Sequence, residues 1–323
     1  MAWLLFFISA ILVFLAGSRL IASADVIARE TGLGGLWVGM IILPFSTSLP
    51  ELAASWRSVS IGAPDLAVGN FLGSNLFNFG IIALIDLVQG KGTIFKLISK
   101  KHIVPVIFIA IMTLLVIAGM LLPAMPFALS PITPLLFIAY LVAGYLFLRD
   151  GSEKKGRAPK KRTRELKSAI LTFCISSLII IIAAISLADA AENLAQVTVL
   201  GRTFVGTLLM AMSTSLPELV TTTTAVRMGA LDMAVGNVLG ANLFNLALLL
   251  PVDLFYRQGS LLSHLSPLHF VTAIMGLVLA ALVYLGLTRP SRVVLGDVGI
   301  NSLFILVGYI ASIVILFLLG GQF

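Results

Sequence analysis

The heptapeptide STSLPEL occurs twice in the chain, at Ser46–Leu52 and again at Ser213–Leu219. A shift of 167 residues lays Val38–Gly80 over Val205–Ala247 without a gap, with 23 identical residues in 43 positions. Besides the heptapeptide, the blocks AVGN and N-L-F-N recur inside this overlap. Self-similarity at one fixed shift indicates an internal repeat, so the chain is predicted to fold as two related halves.

The composition around both copies is that of a protein embedded in lipid. Of the 323 residues, 59% are apolar and 11% are charged, whereas about 25% are charged in an ordinary soluble domain. This balance excludes a water-soluble globular enzyme and a disordered chain, and the continuous apolar runs exclude a transmembrane β-barrel. Because a bilayer-spanning helix needs about 20 apolar residues, we predict an all-α membrane protein with ten transmembrane helices. The predicted spans lie near residues 3–24, 36–59, 66–88, 103–122, 131–148, 168–188, 203–226, 233–254, 268–287 and 298–319.

The longest polar interval, residues 149–167, separates these spans into two sets of five. It carries nine Lys and Arg residues and predicts a basic linker between a first half at 1–148 and a second half at 168–323. Because each half has an odd number of spans, the second half enters the membrane upside down relative to the first. Inverted repeats of this kind are typical of secondary transporters, whose substrate site lies near the midplane where the repeats meet.

The charge of the connections predicts the orientation in the membrane. With the N-terminus outside, 17 Lys and Arg residues fall in or beside inside connections and three fall outside, and basic residues concentrate in cytoplasmic loops. We therefore expect both termini outside a cell membrane and a cytoplasmic linker, and the net charge of +7 does not indicate nucleic-acid binding. No charged stretch precedes the first apolar run, so it is expected to be a retained span rather than a cleaved signal peptide. The lone Cys174 is expected to have a packing role.

Two acidic residues, Glu51 and Glu218, lie well inside predicted spans, directly after the proline of each STSLPEL copy. A charge at the bilayer centre costs at least about 2.5–3.5 kcal/mol, so its presence in both halves indicates a shared function. Each proline lacks an N–H and is expected to kink its helix around Thr47 or Thr214, which loosens backbone carbonyls there. Carboxylate, hydroxyl and carbonyl oxygens are hard ligands that suit Ca²⁺ or Na⁺. Each copy therefore predicts half of a cation site.

The following span in each half carries the pattern G-N-x-x-G-[SA]-N-x-F-N. Its two glycines are four residues apart and predict a close approach between helices. Its asparagines either ligate the ion or hold helices together, and the residues alone leave both roles open; they are Asn70, Asn75, Asn78, Asn237, Asn242 and Asn245. Asp65 and Asp232, which precede these spans, are interpreted first as N-terminal helix caps. The three histidines lie near span ends and are not expected to form a proton relay.

The paired T-S-L-P-E and G-[SA]-N-x-F-N segments resemble the two α-repeats of the calcium/cation antiporter superfamily, in its sodium/calcium exchanger branch. The resemblance implies ten spans in two inverted halves and alternating access by sliding of the first and sixth spans over a stationary core. Carried over by position, it implies a Ca²⁺ site made by the carboxylates of Glu51 and Glu218 and the carbonyls of Thr47 and Thr214. It also implies hydroxyls for flanking Na⁺ ions and an amide pair beside the centre; these residues are Ser48, Ser74, Ser215, Asn78 and Asn245.

Two departures from the family's pattern concern the driving ion. Ala241 stands where the first half has Ser74, so one Na⁺ position loses an oxygen and the number of Na⁺ ions per cycle, two or three, stays open. Asn245 stands where potassium-dependent relatives carry an aspartate, which argues against K⁺ dependence. The additional carboxylate of proton-coupled relatives is missing after G-N. We expect Na⁺ to drive Ca²⁺, with a proton-coupled divalent-cation antiporter on the same fold as the alternative.

The sequence therefore favours an antiporter in the lipid bilayer over an enzyme or a channel. An intramembrane enzyme would need a metal pair or a catalytic Ser/His set, and the sequence offers neither. A channel usually places its pore on an oligomer axis, whereas the two halves of this chain are expected to form a cavity by themselves, so a monomer suffices. No cofactor is expected, because Ca²⁺ and Na⁺ bind as transported substrates.

Overall fold

The computed structural model of the protein describes residues 2–90, 93–123, 129–150, 163–197, 212–256, 258–296 and 298–320, and nearly all of them are helical. The helices are α1 (Ala2–Thr31), α2 (Gly35–Trp37), α3 (Leu43–Thr47), α4 (Leu49–Ser60), α5 (Pro64–Gln89), α6 (Ile103–Leu121), α7 (Ile132–Asp150), α8 (Thr163–Val197), α9 (Leu216–Arg227), α10 (Leu231–Ala247), α11 (Leu249–Phe255), α12 (Leu268–Thr288) and α13 (Ile300–Gly320). A π-helical segment, Val38–Ile42, joins α2 to α3, and short 3₁₀ turns occupy Ile94–Lys96, Lys100–His102 and Leu261–His264. A hairpin of β1 (Val294–Leu295) and β2 (Val298–Gly299) precedes α13.

The helices confirm the predicted all-α fold with ten transmembrane helices in two repeats. Among the described residues, eight helical segments are long and apolar enough to cross a membrane, and α7 contains a shorter apolar helix at Ile132–Phe147. The remaining predicted span, 203–226, is described from residue 212 onward, where α9 forms its second part. The prediction for residues 203–211 lies outside the described part of the chain.

Two helices, α1 and α8, extend well beyond their predicted spans. They contain 30 and 35 residues, which at 1.5 Å per residue is about 45 and 52 Å, compared with about 30 Å of hydrocarbon. The predicted first span ends at residue 24 because charged residues follow it. Asp25 and Arg29 instead pair at 2.8 Å, one turn apart, on the continuing helix. The two long helices pack along each other.

Two glycines allow α10 of the second half to pack tightly against the π-helical segment Val38–Ile42 of the first half. A Cβ atom on Gly240 would lie 2.2 Å from the Met40 carbonyl oxygen, and one on Gly39 would lie 2.5 Å from the Met233 carbonyl oxygen. Only a residue without a side chain permits either contact. The close approach predicted from the glycine spacing is therefore present in the second half. At Gly73, the counterpart of Gly240, no described residue lies within 4 Å of the Cβ position.

The aspartate contacts between the halves come in mirrored pairs, as expected for two related halves. Asp65 at the start of α5 accepts the backbone N–H of Ser266 at 2.6 Å and lies 3.1 Å from His269 Nε2. Asp232 at the start of α10 accepts the backbone N–H of Ser99 at 2.7 Å and lies 3.0 Å from His102 Nε2. The interpretation of both aspartates as helix caps was wrong. The N-cap positions belong to Ala63 and Ala230, and each carboxylate lies in the first turn, bonded to the opposite half.

A second aspartate pair holds the far ends of the same two spans. The Asp86 carboxylate accepts the backbone N–H groups of Ile94 and Gly299. In the other half, Asp253 accepts those of Leu261 at 2.8 Å and Ser130 at 2.9 Å. Both carboxylates are buried, so these bonds satisfy loop amides that would otherwise be unpaired inside the bundle.

Candidate functional site

The STSLPEL copies break their helices at the predicted depth. Between α3 and α4, Ser48 leaves helical geometry at φ −95° and ψ 7°, and the second copy repeats this at Ser215 with φ −90° and ψ 6°. In each copy a proline sits in the first turn of the next helix, where its missing N–H is tolerated. The break lies one residue after the predicted position, Thr47 or Thr214. It leaves irregular backbone at membrane depth, which occurs where it is buried in protein or lines a cavity.

The two glutamates that follow these breaks are fully buried, and each is hydrogen-bonded to the other half. Ser48 Oγ donates to Glu218 Oε1 at 3.0 Å, and Ser215 Oγ donates to Glu51 Oε1 at 3.1 Å. Ser215 Oγ also lies 3.0 Å from Ser74 Oγ. Glu218 is thus held against the helix break that precedes Glu51, and Glu51 against the break that precedes Glu218. Both carboxylates therefore lie at the interface of the repeats.

The asparagines of α5 and α10 form a second cross-linked layer. The Nδ2 of Asn75 donates to the Asn242 carbonyl, and the Nδ2 of Asn242 donates to the Asn75 carbonyl, both at 3.3 Å. Asn78 Nδ2 donates to Asn242 Oδ1 at 3.0 Å, and Asn245 Nδ2 donates to Asn75 Oδ1 at 3.1 Å. Asn75 and Asn242 therefore join the helices. Asn78 and Asn245 are held in place by the hydrogen bonds of their side-chain nitrogens, and their side-chain oxygens take no part in these bonds.

The outer asparagine pair supports the broken helices. Asn70 Nδ2 donates to the Glu51 carbonyl and to Ser55 Oγ, both at 3.1 Å. Asn237 Nδ2 donates to Thr221 Oγ1 at 2.9 Å and Thr222 Oγ1 at 3.1 Å. The two helices that carry the glutamates are thus fixed against their neighbours. All six asparagines thus bond to a neighbouring helix, and ligation of an ion by any of them stays a prediction.

Two mirrored pairs of buried oxygen atoms at this interface have no hydrogen-bond partner among the described residues: Glu51 Oε2 with Glu218 Oε2, and Asn78 Oδ1 with Asn245 Oδ1. Asn237 Oδ1 is unpartnered as well, whereas its counterpart, Asn70 Oδ1, accepts from Thr214 Oγ1. A buried acceptor without a partner costs about 1–3 kcal/mol, and more when it is charged. Four such acceptors, two of them carboxylate, match the charge and ligand type of a hard divalent cation.

The predicted threonines lie at the same interface, and their side chains bond within the protein. Thr47 and Thr214 are fully buried. Thr47 Oγ1 donates to the Leu43 carbonyl at 3.3 Å, and Thr214 Oγ1 donates to Asn70 Oδ1 at 3.4 Å. Their hydroxyls are thus used within the protein, and it is their carbonyls, beside the helix breaks, that remain the candidate ligands.

Every site residue named from the sequence lies in this buried interface. The residues that hold the site in place were not predicted. The missed residues are the aspartate and histidine pairs that join the halves, together with Thr221 and Thr222. The internal repeat indicates the aspartate and histidine pairs, because Asp65 and His102 both recur 167 residues later, as Asp232 and His269. Within the described ranges no group of three or more His, Cys, Asp or Glu side chains is placed to hold a metal ion.

An inverted repeat with paired glutamates and amides at its midplane defines a secondary transporter for cations, and not an enzyme. The chain belongs to the sodium/calcium exchanger protein family, whose model matches residues 1–148 and 168–318.

The similar proteins span most of the chain. The inner membrane protein YrbG of Escherichia coli is 29% identical over 270 residues, which is 81% of this chain and 82% of that protein. The sodium/calcium exchanger MaX1 of Methanosarcina acetivorans is 25% identical over 274 residues, or 73% of this chain and 78% of that one. The solved structure of the sodium-calcium exchanger NCX_Mj soaked with 10 mM Na⁺ and zero Ca²⁺ has a TM-score of 0.78 at 20% identity. That comparison covers 97% of this chain and 98% of the other.

Proposed function

We propose that the protein exchanges Ca²⁺ for Na⁺ across the cell membrane by alternating access. The observation that carries the proposal is the set of four unpartnered oxygens on Glu51, Glu218, Asn78 and Asn245. Two carboxylates cancel the charge of one Ca²⁺, and two amide oxygens with the carbonyls of the broken helices complete a hard-oxygen shell of the size that Ca²⁺ takes.

The same pair of charges explains why transport is exchange and not leak. With no cation, two carboxylates would face each other in a low-dielectric interior, where repulsion and desolvation are both costly. The site therefore has to carry Ca²⁺ in one direction and Na⁺ in the other before the protein switches sides. In this proposal the Na⁺ ions lie beside the glutamates, next to the hydroxyls of Ser48, Ser74 and Ser215.

The switch itself is proposed to be a sliding of α1 and α8, the first and sixth spans, over the other eight. The distribution of polar contacts supports this for α1, whereas α8 bonds to the first half at Ser177–Ser46 and at Asp189–Arg57. Among the described residues, every hydrogen bond and ion pair of an α1 side chain is local, within four residues. The opposite holds for α5 and α10, which are bonded to both halves.

The orientation is proposed from the basic residues, with both termini outside and the linker at 149–167 in the cytoplasm. Cys174 is the only cysteine, so a Cys174→Ser background accepts single cysteines for accessibility labelling. A cysteine in the linker should react with an impermeant maleimide only after the membrane of intact cells is opened. Labelling of the linker in sealed cells would show that the protein has the opposite orientation.

The experiment that tests the function is ⁴⁵Ca²⁺ uptake into liposomes containing the purified protein. A Na⁺ gradient should drive uptake, and H⁺ or K⁺ gradients imposed without Na⁺ should not. Uptake driven by the pH gradient alone would replace this proposal with proton-coupled antiport on the same fold.

The site is tested in the same assay by removing one charge at a time. Glu51→Gln and Glu218→Gln should each abolish Na⁺-driven uptake, because a single carboxylate no longer balances Ca²⁺. Glu30→Gln makes the same chemical change at the end of α1, away from the interface, and should transport normally. Normal transport by both site variants would refute the assignment.

A further inference from the structure

The two halves differ in how one buried amide oxygen beside the ion site is bonded. Asn237 Oδ1 on α10 has no hydrogen-bond partner among the described residues, although its side chain is fully buried. Its counterpart on α5, Asn70 Oδ1, accepts from Thr214 Oγ1 at 3.4 Å. The mirrored donor would be Thr47, whose hydroxyl instead donates to the Leu43 carbonyl at 3.3 Å. The second half therefore keeps an unpartnered acceptor where the first half has a satisfied one.

The neighbours of the Asn237 amide fix its orientation. Its Nδ2 lies 2.9 Å from Thr221 Oγ1 and 3.1 Å from Thr222 Oγ1. Thr221 Oγ1 donates its only hydrogen to the Pro217 carbonyl at 2.6 Å, so it can only accept from the amide. The nitrogen must therefore face the threonines, and Oδ1 must point away from them. A buried acceptor left in this way costs free energy until water or a cation meets it.

This oxygen lies one helical turn from the hydroxyl that α10 lacks. Asn237 and Ala241 are four residues apart on α10, so they share a face of that helix. The equivalent positions on α5 are Asn70 and Ser74. The two differences between the halves compensate each other, because the amide oxygen is available on the side where the hydroxyl is missing.

The helix break of the first half connects this oxygen to the Glu218 carboxylate. Thr47 lies beside that carboxylate, whose Oε2 is buried and unpartnered among the described residues. By the two-fold relation, the Thr47 turn also faces Asn237. The equivalent contact in the first half is the bond from Thr214 to Asn70. A carboxylate, an amide oxygen and the carbonyls of a broken helix are hard oxygen ligands for a small cation.

We propose that Asn237 Oδ1 is a ligand of the Na⁺ ion on the Glu218 side, where it partly replaces the hydroxyl that Ala241 lacks. The proposal rests on the proposed Na⁺ exchange and names a residue that sets its Na⁺ affinity. In this arrangement the ion beside Glu218 lies nearer to Asn237 than the mirrored ion lies to Asn70. The Na⁺ positions beside the two glutamates are therefore not equivalent.

The test is Na⁺-driven ⁴⁵Ca²⁺ uptake into liposomes loaded with a series of Na⁺ concentrations. Asn237→Ala should raise the Na⁺ concentration for half-maximal uptake about tenfold, as expected for the loss of one contact to a charged group. The Ca²⁺ concentration for half-maximal uptake should change less. Asn237→Asp keeps an oxygen but removes the amide donors to Thr221 and Thr222, so it should need no more Na⁺ than the parent. If Asn237→Asp is impaired like Asn237→Ala, the residue acts through its donors and the proposal is wrong.

A rescue experiment separates ligation from helix support. In the Asn237→Ala background, Ala241→Ser returns a hydroxyl to the same side and should restore most of the Na⁺ affinity. The mirrored variant, Asn70→Ala, loses the donation to the Glu51 carbonyl, and Ala241→Ser should not restore it. Failure of the rescue at Asn237, or equal rescue of both asparagine variants, would overturn the proposal.

Two comparisons keep the result decisive. Where the unfolding temperature of Asn237→Ala falls below that of the parent, the Na⁺ dependence of Asn237→Asp against the parent decides alone. A parent without Na⁺-driven uptake contradicts the proposed function itself. An active parent whose Na⁺ dependence is unchanged in Asn237→Ala contradicts only the role of Asn237.

Discussion

At the scale of single residues, the two half-sites differ in one hydroxyl. Beside Glu51, the hydroxyls of Ser215 and Ser74 lie within hydrogen-bond distance of each other. Beside Glu218, Ser48 is in place, and Ala241 occupies the position that mirrors Ser74. The Glu218 side therefore has one oxygen fewer for a monovalent cation, although both sides keep the same carboxylate.

We predict that Ala241→Ser strengthens Na⁺ binding on the Glu218 side. Its Hill coefficient for Na⁺ should rise, or its charge moved per Ca²⁺ should increase, when uptake and current are measured on the same proteoliposomes. Ser74→Ala is the reciprocal variant and should lower the Na⁺ affinity, because it makes both half-sites alanine. If both variants keep the parent's Na⁺ dependence and current, these hydroxyls take no part in Na⁺ binding.

In the proposed exchange, the number of Na⁺ ions decides how steep a Ca²⁺ gradient the protein can support. A tenfold Na⁺ excess gives about 1.4 kcal/mol per ion, and 100 mV adds about 2.3 kcal/mol per charge. Three Na⁺ ions release about 11 kcal/mol, moving Ca²⁺ outward takes about 4.6, and the remainder supports nearly five decades of gradient. Two Na⁺ ions make the cycle electroneutral and support about two decades. In the proposed exchange, the hydroxyl that Ala241 lacks therefore bears on how steep a Ca²⁺ gradient is supported.

At the scale of helices, glycine determines how the second half packs on the first. We predict that Gly240→Ala lowers stability by about 1–3 kcal/mol, as overpacking of a filled core does, because the new methyl group would lie 2.2 Å from a carbonyl oxygen. The measurement is the unfolding temperature of the purified protein. Gly144→Ala on α7 is the matched control, since its Cβ would make an ordinary contact of 3.5 Å with Ile41.

The control should be neutral or slightly stabilising, because alanine favours the helix over glycine by about 1 kcal/mol. Equal unfolding temperatures for the two alanine variants would show that the close approach at Gly240 does not limit packing.

The helices also show what the sequence could predict and what it could not. Hydropathy and the proline at each STSLPEL copy were enough to place the spans, the breaks and the buried glutamates, because apolar length and a missing N–H act locally. The roles of Asp65 and Asp232 depend on which group faces the first turn of a helix. A local cap and a bond to the other half look the same in the sequence, and only the fold places Ser266 and His269 beside Asp65.

The asparagines illustrate the same limit within one motif. Asn75 and Asn78 are three residues apart and chemically identical. Asn75 bonds to the other half through both its side-chain nitrogen and its side-chain oxygen, whereas the side-chain oxygen of Asn78 is unpartnered. That difference arises from the register between α5 and α10, which the spacing of residues in either helix does not reveal.

At the scale of the whole molecule, polar ties join the two halves, and among the described residues the side chains of α1 take no part in them. The other long helix, α8, bonds to the first half at Ser177–Ser46 and at Asp189–Arg57. Four aspartates and the Asn75–Asn242 exchange bind the spans of the two halves to each other. By contrast, α1 faces α9 through apolar contacts such as Gly17 against Val220. Apolar surfaces without directional bonds can slide at lower cost than hydrogen-bonded ones, so these contacts support the proposed motion of α1.

A disulfide across that sliding surface provides the test. A Cβ on Gly17 would lie 3.5 Å from the Cβ of Val220, within the usual range of about 3.5–4.5 Å for a disulfide. In a Cys174→Ser background, we predict that oxidising Gly17→Cys/Val220→Cys stops Na⁺-driven ⁴⁵Ca²⁺ uptake and that reduction restores it.

The control pair, Gly35→Cys/Met233→Cys, joins α2 to α10 at a Cβ separation of 3.7 Å. Both helices belong to the part proposed to stay still, so its oxidised form should transport like its reduced form. The degree of cross-linking in each pair is read by mass spectrometry of the same samples. Because the two pairs have matching geometry, a general effect of oxidation would inhibit both. Inhibition of the first pair alone identifies the α1 surface as the one that moves, and full transport by its cross-linked form would place the motion elsewhere in the bundle.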